Sequence, residues 1–309
     1  MNRAQVTSWA EGPRYSHVES LPAPASDELQ LRVLAAGLHH VVRSRATGQH
    51  YSSNVLPHIP GVDCVARDEA TGNLYYCLKF APDFGTFAEY INIPKSNAIP
   101  IPAGVDPVGF AASANPAMSS WMALSQRTSD LPKDYSVLII GATSASGRMA
   151  VNVARALGAA KVIGLARNAD ALAKVEGLDE RVVQAPNIKD TDLSQLDYDV
   201  ILDYVYGDVA LHVLGSVRPG KPVQYVQIGG LAQTDIALPS AILRSRNITL
   251  RGAGPGAWSF KGASIELPKM AQALAGWKML DAQAFPLKDI EQVWGDKTLG
   301  GAARIVIQP

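Results

Sequence analysis

The run Gly141-Ala142-Thr143-Ser144-Ala145-Ser146-Gly147 is a turn of small residues, and small side chains let backbone N–H groups come close to an anion. It follows the apolar run Val137-Leu138-Ile139-Ile140 and leads into a helical pattern, so a diphosphate would meet the positive end of a helix. Ala150, Val153, Ala154 and Leu157 repeat at i, i+3, i+4, i+7, and Gly158 is placed to stop that helix. With Lys161-Val162-Ile163-Gly164-Leu165 as the next strand, the unit is β-α-β. In the G-x-G-x-x-G frame only Gly147 fits, because Ala142 and Ser144 occupy the other two positions. Context therefore carries the reading. About 20 residues beyond such a turn a carboxylate would bind the ribose 2′-hydroxyl of NAD, and Ala166-Arg167-Asn168 stands there instead. A guanidinium suits a 2′-phosphate, which points to NADP; the alternative is a solvated charge at a strand end.

The surrounding pattern says what must position this unit. Candidate parallel strands at 137–140, 161–165, 181–184, 199–203, 223–228 and 247–252 alternate with helices or loops, the pattern of a doubly wound α/β sheet. Residues 1–118 differ in texture, with short β-like runs at Gln30–Leu34, Gly61–Val65, Asn73–Cys77 and Thr86–Ile91 broken by proline and glycine. Beyond 256 come a predicted helix near 264–279, another beginning at Leu287, and a short strand at Arg304–Ile307 able to return to the N-terminal β-rich part. Two domains are expected: 1–118 with 256–309, and a dinucleotide-binding domain at 119–255.

Composition bounds the function. The 309 residues are 47% hydrophobic, enough for a large core, and 28 basic residues balance 28 acidic ones. That balance argues against a nucleic-acid or anionic-membrane partner. No apolar run approaches the roughly 18 residues of a span, and no signal-peptide pattern opens the chain, so a soluble, cytoplasmic protein is expected. Cys64 and Cys77 are too few for a disulfide framework and read as strand-core thiols.

Several phrases, in order, sharpen the picture: Gly37-Leu38-His39-His40 through Tyr51, Pro60-Gly61-Val62-Asp63, Gly85-Thr86-Phe87-Ala88-Glu89, Asn115-Pro116-Ala117-Met118-Ser119-Ser120-Trp121, Gly141 through Gly147, and Val226-Gln227-Ile228-Gly229. Together they resemble the quinone oxidoreductase branch of the medium-chain dehydrogenase/reductase superfamily over essentially the whole chain. The resemblance implies a GroES-like β-rich domain plus a Rossmann domain, NADPH as cofactor and a homodimer. It also implies that Ser119, Asn168, Asp203, Gln227, Ile228 and Gly229 join Gly141–Gly147 and Arg167 in binding the cofactor. Zinc-dependent alcohol dehydrogenases of that superfamily carry a catalytic cysteine where His39 stands and a Gly-His-Glu triplet where Gly61-Val62-Asp63 stands. Val62 offers no donor atom and catalytic zinc needs three protein ligands, so no metal is expected. His40, His50 and His58 match no ligand pair either.

Without zinc, a reductase needs something to polarise or protonate its acceptor. The family places a tyrosine near Tyr51, whose phenol would donate as negative charge develops on a carbonyl oxygen; the alternative is a residue that only walls the cleft. His39 stands where that family often has asparagine and is either a proton donor or a packed ring, while Arg43 either orients an acceptor or is a surface charge. Tyr75-x-x-x-Lys79 has the spacing of a short-chain dehydrogenase pair but precedes the glycine turn, and is set aside. The expected activity is hydride transfer from NADPH to a quinone or α,β-unsaturated carbonyl compound. Alternatives are an enoyl reductase on thioester substrates and a non-catalytic NADPH-binding redox sensor.

Overall fold

The computed structural model describes residues 1–50, 52–81, 84–301 and 303–309. The chain forms two compact units, Met1–Asn115 with Leu267–Pro309, and Pro116–Glu266. Strands β1 (Asn2–Gln5), β2 (Arg14–His17) and β3 (Glu28–Gly37) open the chain, followed by helix α1 (His40–Ala46). Then come β4 (Asp63–Arg67), β5 (Leu74–Leu78), β6 (Tyr90–Pro94), β7 (Ala98–Ile101) and α2 (Pro107–Arg127). The middle of the chain supplies β8 (Ser136–Ile140), α3 (Ala145–Ala156), β9 (Lys161–Ala166), α4 (Ala169–Ala173), β10 (Glu180–Val183) and β11 (Val200–Asp203). It continues with α5 (Asp208–Ser216), β12 (Val223–Gln227), α6 (Ser240–Ser245) and β13 (Ile248–Gly252). Helix α7 (Phe260–Ala275), β14 (Ala282–Pro286), α8 (Ile290–Gly295) and β15 (Arg304–Gln308) close it.

The unit Pro116–Glu266 holds a six-stranded parallel sheet in the order β10-β9-β8-β11-β12-β13, the doubly wound order, with its switch point between β8 and β11. β8 is wholly buried, which is why it reads as an unbroken apolar run. Behind it, α3 ends where Gly158 takes φ +99°, with Gly158 N–H donating to Arg155 O and Ala159 N–H to Ala154 O, a Schellman closure.

The other unit holds the sheet β14-β15-β3-β4-β5-β7, with β6 also pairing β3. β15 joins β3 antiparallel through Val306 opposite Gly37, so the last strand completes the N-terminal sheet. Cys64 and Cys77 lie directly opposite each other in β4 and β5 as buried free thiols, and burial pushes the Cys64 thiol up.

Three details depart from the sequence reading. The run Thr86–Ile91 is strand only from Tyr90, because Thr86 and Phe87 N–H both donate to Pro60 O and Thr86 Oγ1 donates to Asp63 O. The helix placed at 264–279 begins at Phe260. The unit boundaries fall inside α2 and α7, at 115/116 and 266/267, not at 118/119 and 255/256. Residues 256–266 stay with the parallel sheet's unit because Arg127 donates to Gly252 O and Ala257 O, and Trp121 Nε1 donates to Glu266.

Candidate active site

The turn after β8 is built around two glycines. Gly141 takes φ +89°, and a Cβ there would lie 2.9 Å from Val205 Cγ2. At Gly147 a Cβ would lie 2.3 Å from Gly141 O and 2.7 Å from Ala142 Cα, so the first turn of α3 rests directly on the strand-to-helix turn. Ser144 caps α3: its Oγ accepts from Gly147 N–H at 3.0 Å and donates to Gly141 O at 2.8 Å. Thr143, Ala145 and Ser146 N–H have no acceptor among the described residues, which leaves orphan donors at the positive end of a helix. A cofactor diphosphate fits this cradle.

A cleft of about 530 Å³ opens beside it, lined by Gly141, Thr143 and Ser144, by Arg167, by Gln184 and Asn187, and by Tyr206 and Gln233. It lies over the carboxyl ends of the strands flanking the switch point, where doubly wound sheets bind ligands. Arg167 is exposed just beyond β9 and has no ion-pair or hydrogen-bond partner among the described residues. Ala142 and Gly147 are buried behind the cleft wall, and Ala145 and Ser146 open α3.

The remaining expected cofactor residues lie elsewhere. The Asn168 side chain is occupied as the cap of α4, accepting from Ala171 N–H at 2.9 Å. Ser119, on α2, donates to Pro116 O at 2.7 Å, and beside it the buried Tyr204 phenol is pushed up to about 12 by its burial. Gln227 ends β12, while Ile228 and Gly229 donate their N–H groups to Asp203 O; none of the three lines the cleft. Asp203 is 0% exposed and also outside the lining, its carboxylate bonded to Val205 N–H, Tyr206 N–H and the Tyr225 phenol. Both of its carboxylate oxygens are taken up inside the protein. Burial pushes its carboxyl up. Sequence reasoning in turn missed Gln184, Asn187, Tyr206 and Gln233, although three of them follow the carboxyl ends of β10 and β11, where the switch-point rule directs attention.

His39, read from the sequence as either a proton donor or a packed ring, is buried. It is 3% exposed, with Nε2 2.9 Å from Asp63 Oδ1 and Nδ1 2.5 Å from Arg304 Nη2. A guanidinium can only donate, so Nδ1 is the acceptor and Nε2–H donates to Asp63. Tyr76 donates to the other Asp63 oxygen at 2.8 Å, and burial followed by Asp63 pushes that phenol well up. Neither ring nitrogen is left for a substrate. A zinc ion does not fit here either, because a cation at His39 would face the Arg304 guanidinium and Val62 supplies no donor. Among the described residues no group of three or more His, Cys, Asp and Glu is placed to hold a metal.

Arg43 stacks on the Trp294 ring at 4.8 Å and donates from Nη1 to its carbonyl, so it is not a free surface charge. Lys79 lies over the Phe84 ring. Tyr51 lies outside the described residues.

The doubly wound sheet, glycine cradle and switch-point cleft define a dinucleotide-binding oxidoreductase fold with a β-rich companion unit. No family model matches the chain. A protein of Emericella nidulans named a probable NADPH-dependent quinone reductase is 35% identical over the whole of both chains. A trans-enoyl reductase of Aspergillus terreus is 24% identical over 76% of this chain and 70% of its own. Among solved structures, a quinone oxidoreductase from Thermus thermophilus, described with its NADPH complex, matches with a TM-score of 0.79 over all of both chains at 24% identity. A mycobacterial quinone oxidoreductase matches at 0.81, also over all of both chains, at 17% identity. The chain belongs to the quinone oxidoreductase-like branch of the medium-chain dehydrogenase/reductase superfamily.

Proposed function

We propose that this protein is a zinc-independent, NADPH-dependent oxidoreductase that reduces a quinone or an α,β-unsaturated carbonyl compound. The observation that carries the reading is the cradle: two glycines that a side chain would crowd and three orphan N–H donors in the turn and the start of α3, with an unpartnered Arg167 lining the same cleft. NADPH, when bound, supplies the hydride. The turn after β8 and the positive end of α3 hold the diphosphate, and Arg167 holds the 2′-phosphate. Tyr51 is assigned as hydrogen-bond donor to the acceptor oxygen, on the strength of the sequence resemblance. His39, locked between Asp63 and Arg304, is assigned to the scaffold.

The Emericella relative favours a quinone acceptor; the trans-enoyl reductase relative supports the second reading, an enoyl thioester. NADPH oxidation with a quinone panel, an enone and enoyl-thioester panel, and no acceptor separates these, and binding without turnover on any panel identifies a redox sensor.

The reading includes a soluble cytoplasmic homodimer. Among the described residues no helix is long and apolar enough to cross a membrane. β13 is the end strand of the parallel sheet, and Leu250 on it and Leu243 on α6 are exposed, an open apolar edge that a two-fold copy would cover. Light scattering of wild type and Leu250→Lys tests this: a dimer that the lysine dissociates is expected, and a monomeric wild type refutes it.

A further inference from the structure

We infer that Asp203 is a positioning residue for the cofactor, acting through the turn after β11 and not by contact; this rests on the NADPH reading above. The carboxylate ends β11 with no solvent exposure and takes three donors: Val205 N–H at 2.8 Å, Tyr206 N–H at 2.9 Å and the Tyr225 phenol at 2.5 Å. The first two bonds fold the chain into a tight turn. That turn carries a non-glycine residue, Tyr206, at φ +62°, followed by Gly207 at φ +76°. A left-handed tyrosine persists only where the surroundings over-determine it, and the two bonds from its own and the preceding N–H do so here. The third bond ties the turn to β12.

What the turn presents is cofactor surface. Val205, Tyr206, Asp208 and Val209 all line the same cleft as Thr143 and Ser144. Val205 also closes on the glycine cradle: the position a Cβ would take on Gly141 is 2.9 Å from Val205 Cγ2. Asp203 therefore sets how Val205 and Tyr206 stand against the diphosphate turn. Releasing it lets Tyr206 return to ordinary backbone angles, moving the wall and leaving the reacting groups untouched.

The test is cofactor titration by protein fluorescence and calorimetry on Asp203→Ala, Asp203→Asn and Tyr225→Phe, beside steady-state kinetics. Asp203→Ala should raise the Kd for both NADPH and NADH at least tenfold, with the loss appearing in the cofactor KM and not in kcat at saturating cofactor. Asp203→Asn keeps the oxygen that accepts from Val205 and Tyr206 and should stay within about threefold of wild type. Tyr225→Phe should lower Tm with a smaller affinity loss than Asp203→Ala. If Asp203→Ala fails to fold, Asp203→Leu, which fills the buried volume but cannot accept, carries the same expectation. A folded Asp203→Ala or Asp203→Leu that binds both cofactors within twofold of wild type overturns the inference, as does an Asp203→Asn that loses as much as the alanine. A wild type that binds neither cofactor overturns the NADPH reading itself.

Discussion

Gly147→Ala separates a cofactor cradle from an ordinary strand-to-helix turn. The added methyl would sit 2.3 Å from Gly141 O and 2.7 Å from Ala142 Cα, about 1 Å inside ordinary contact with both. Both obstacles are backbone, so no side chain can rotate away, and the start of α3 must move off the turn. Overpacking of this kind costs about 1–3 kcal/mol, which for a unit of this size lowers Tm by about 2–12 °C. The same displacement moves Ala145 and Ser146 N–H, donors with no acceptor inside the protein. If they bind the diphosphate, each charge-assisted bond lost is worth about 1.5–3 kcal/mol, roughly 10- to 150-fold in Kd. The assay is parallel fluorescence titration with NADPH and NADH, with Tm recorded by calorimetry. Because the diphosphate is common to both cofactors, both Kd values should rise together. A folded variant with lowered Tm and both Kd values within twofold of wild type would refute the reasoning, since the glycine would then serve packing alone.

Arg167→Ala should instead weaken NADPH by about 10- to 100-fold and leave NADH nearly unchanged, because its guanidinium meets only the 2′-phosphate; equal losses in the same titration would make it a structural residue. Tyr51→Phe should lower kcat and kcat/KM with an enone acceptor on the order of 10²-fold, less with a quinone, while NADPH Kd holds; unchanged turnover with both removes the phenol from the mechanism. Arg304→Met leaves His39 Nδ1 without its donor in a buried site, so Tm should fall by several degrees with cofactor Kd unaffected, as checked by calorimetry and titration. Asp179 is held below the usual carboxylate range by Val162 N–H, then by Arg155. Its contribution is thus present above about pH 4 and lost as pH falls through the lower folded value; Tm against pH should show Asp179→Asn converging on wild type at the acid end.

The parallel sheet was legible because its strands are buried on both faces: β8 and β9 read as unbroken apolar runs, and Gly158 marks where α3 stops. The unit boundaries were not, because each falls within a continuous helix, where composition does not change. Arg167 stood out by type and spacing. His39 did not declare its role, since its partners Asp63 and Arg304, and Tyr76 that holds Asp63, come from three strands that only the folded sheet brings together. Asp203 was half legible: an aspartate closing a strand favours a local turn through the next N–H groups, but its bond to Tyr225 depends on the pairing of β11 with β12.

The most direct measurement of the central claim is NADPH oxidation followed at its nicotinamide absorbance, with metal-free protein, across quinones, enones, enoyl thioesters and no acceptor. Turnover with NADPH on a quinone or enone, well above the no-acceptor rate, preferred over NADH and indifferent to chelation or added zinc, is the result predicted. Tight NADPH binding with no turnover on any acceptor, or turnover abolished by chelation and restored by zinc, would contradict the account.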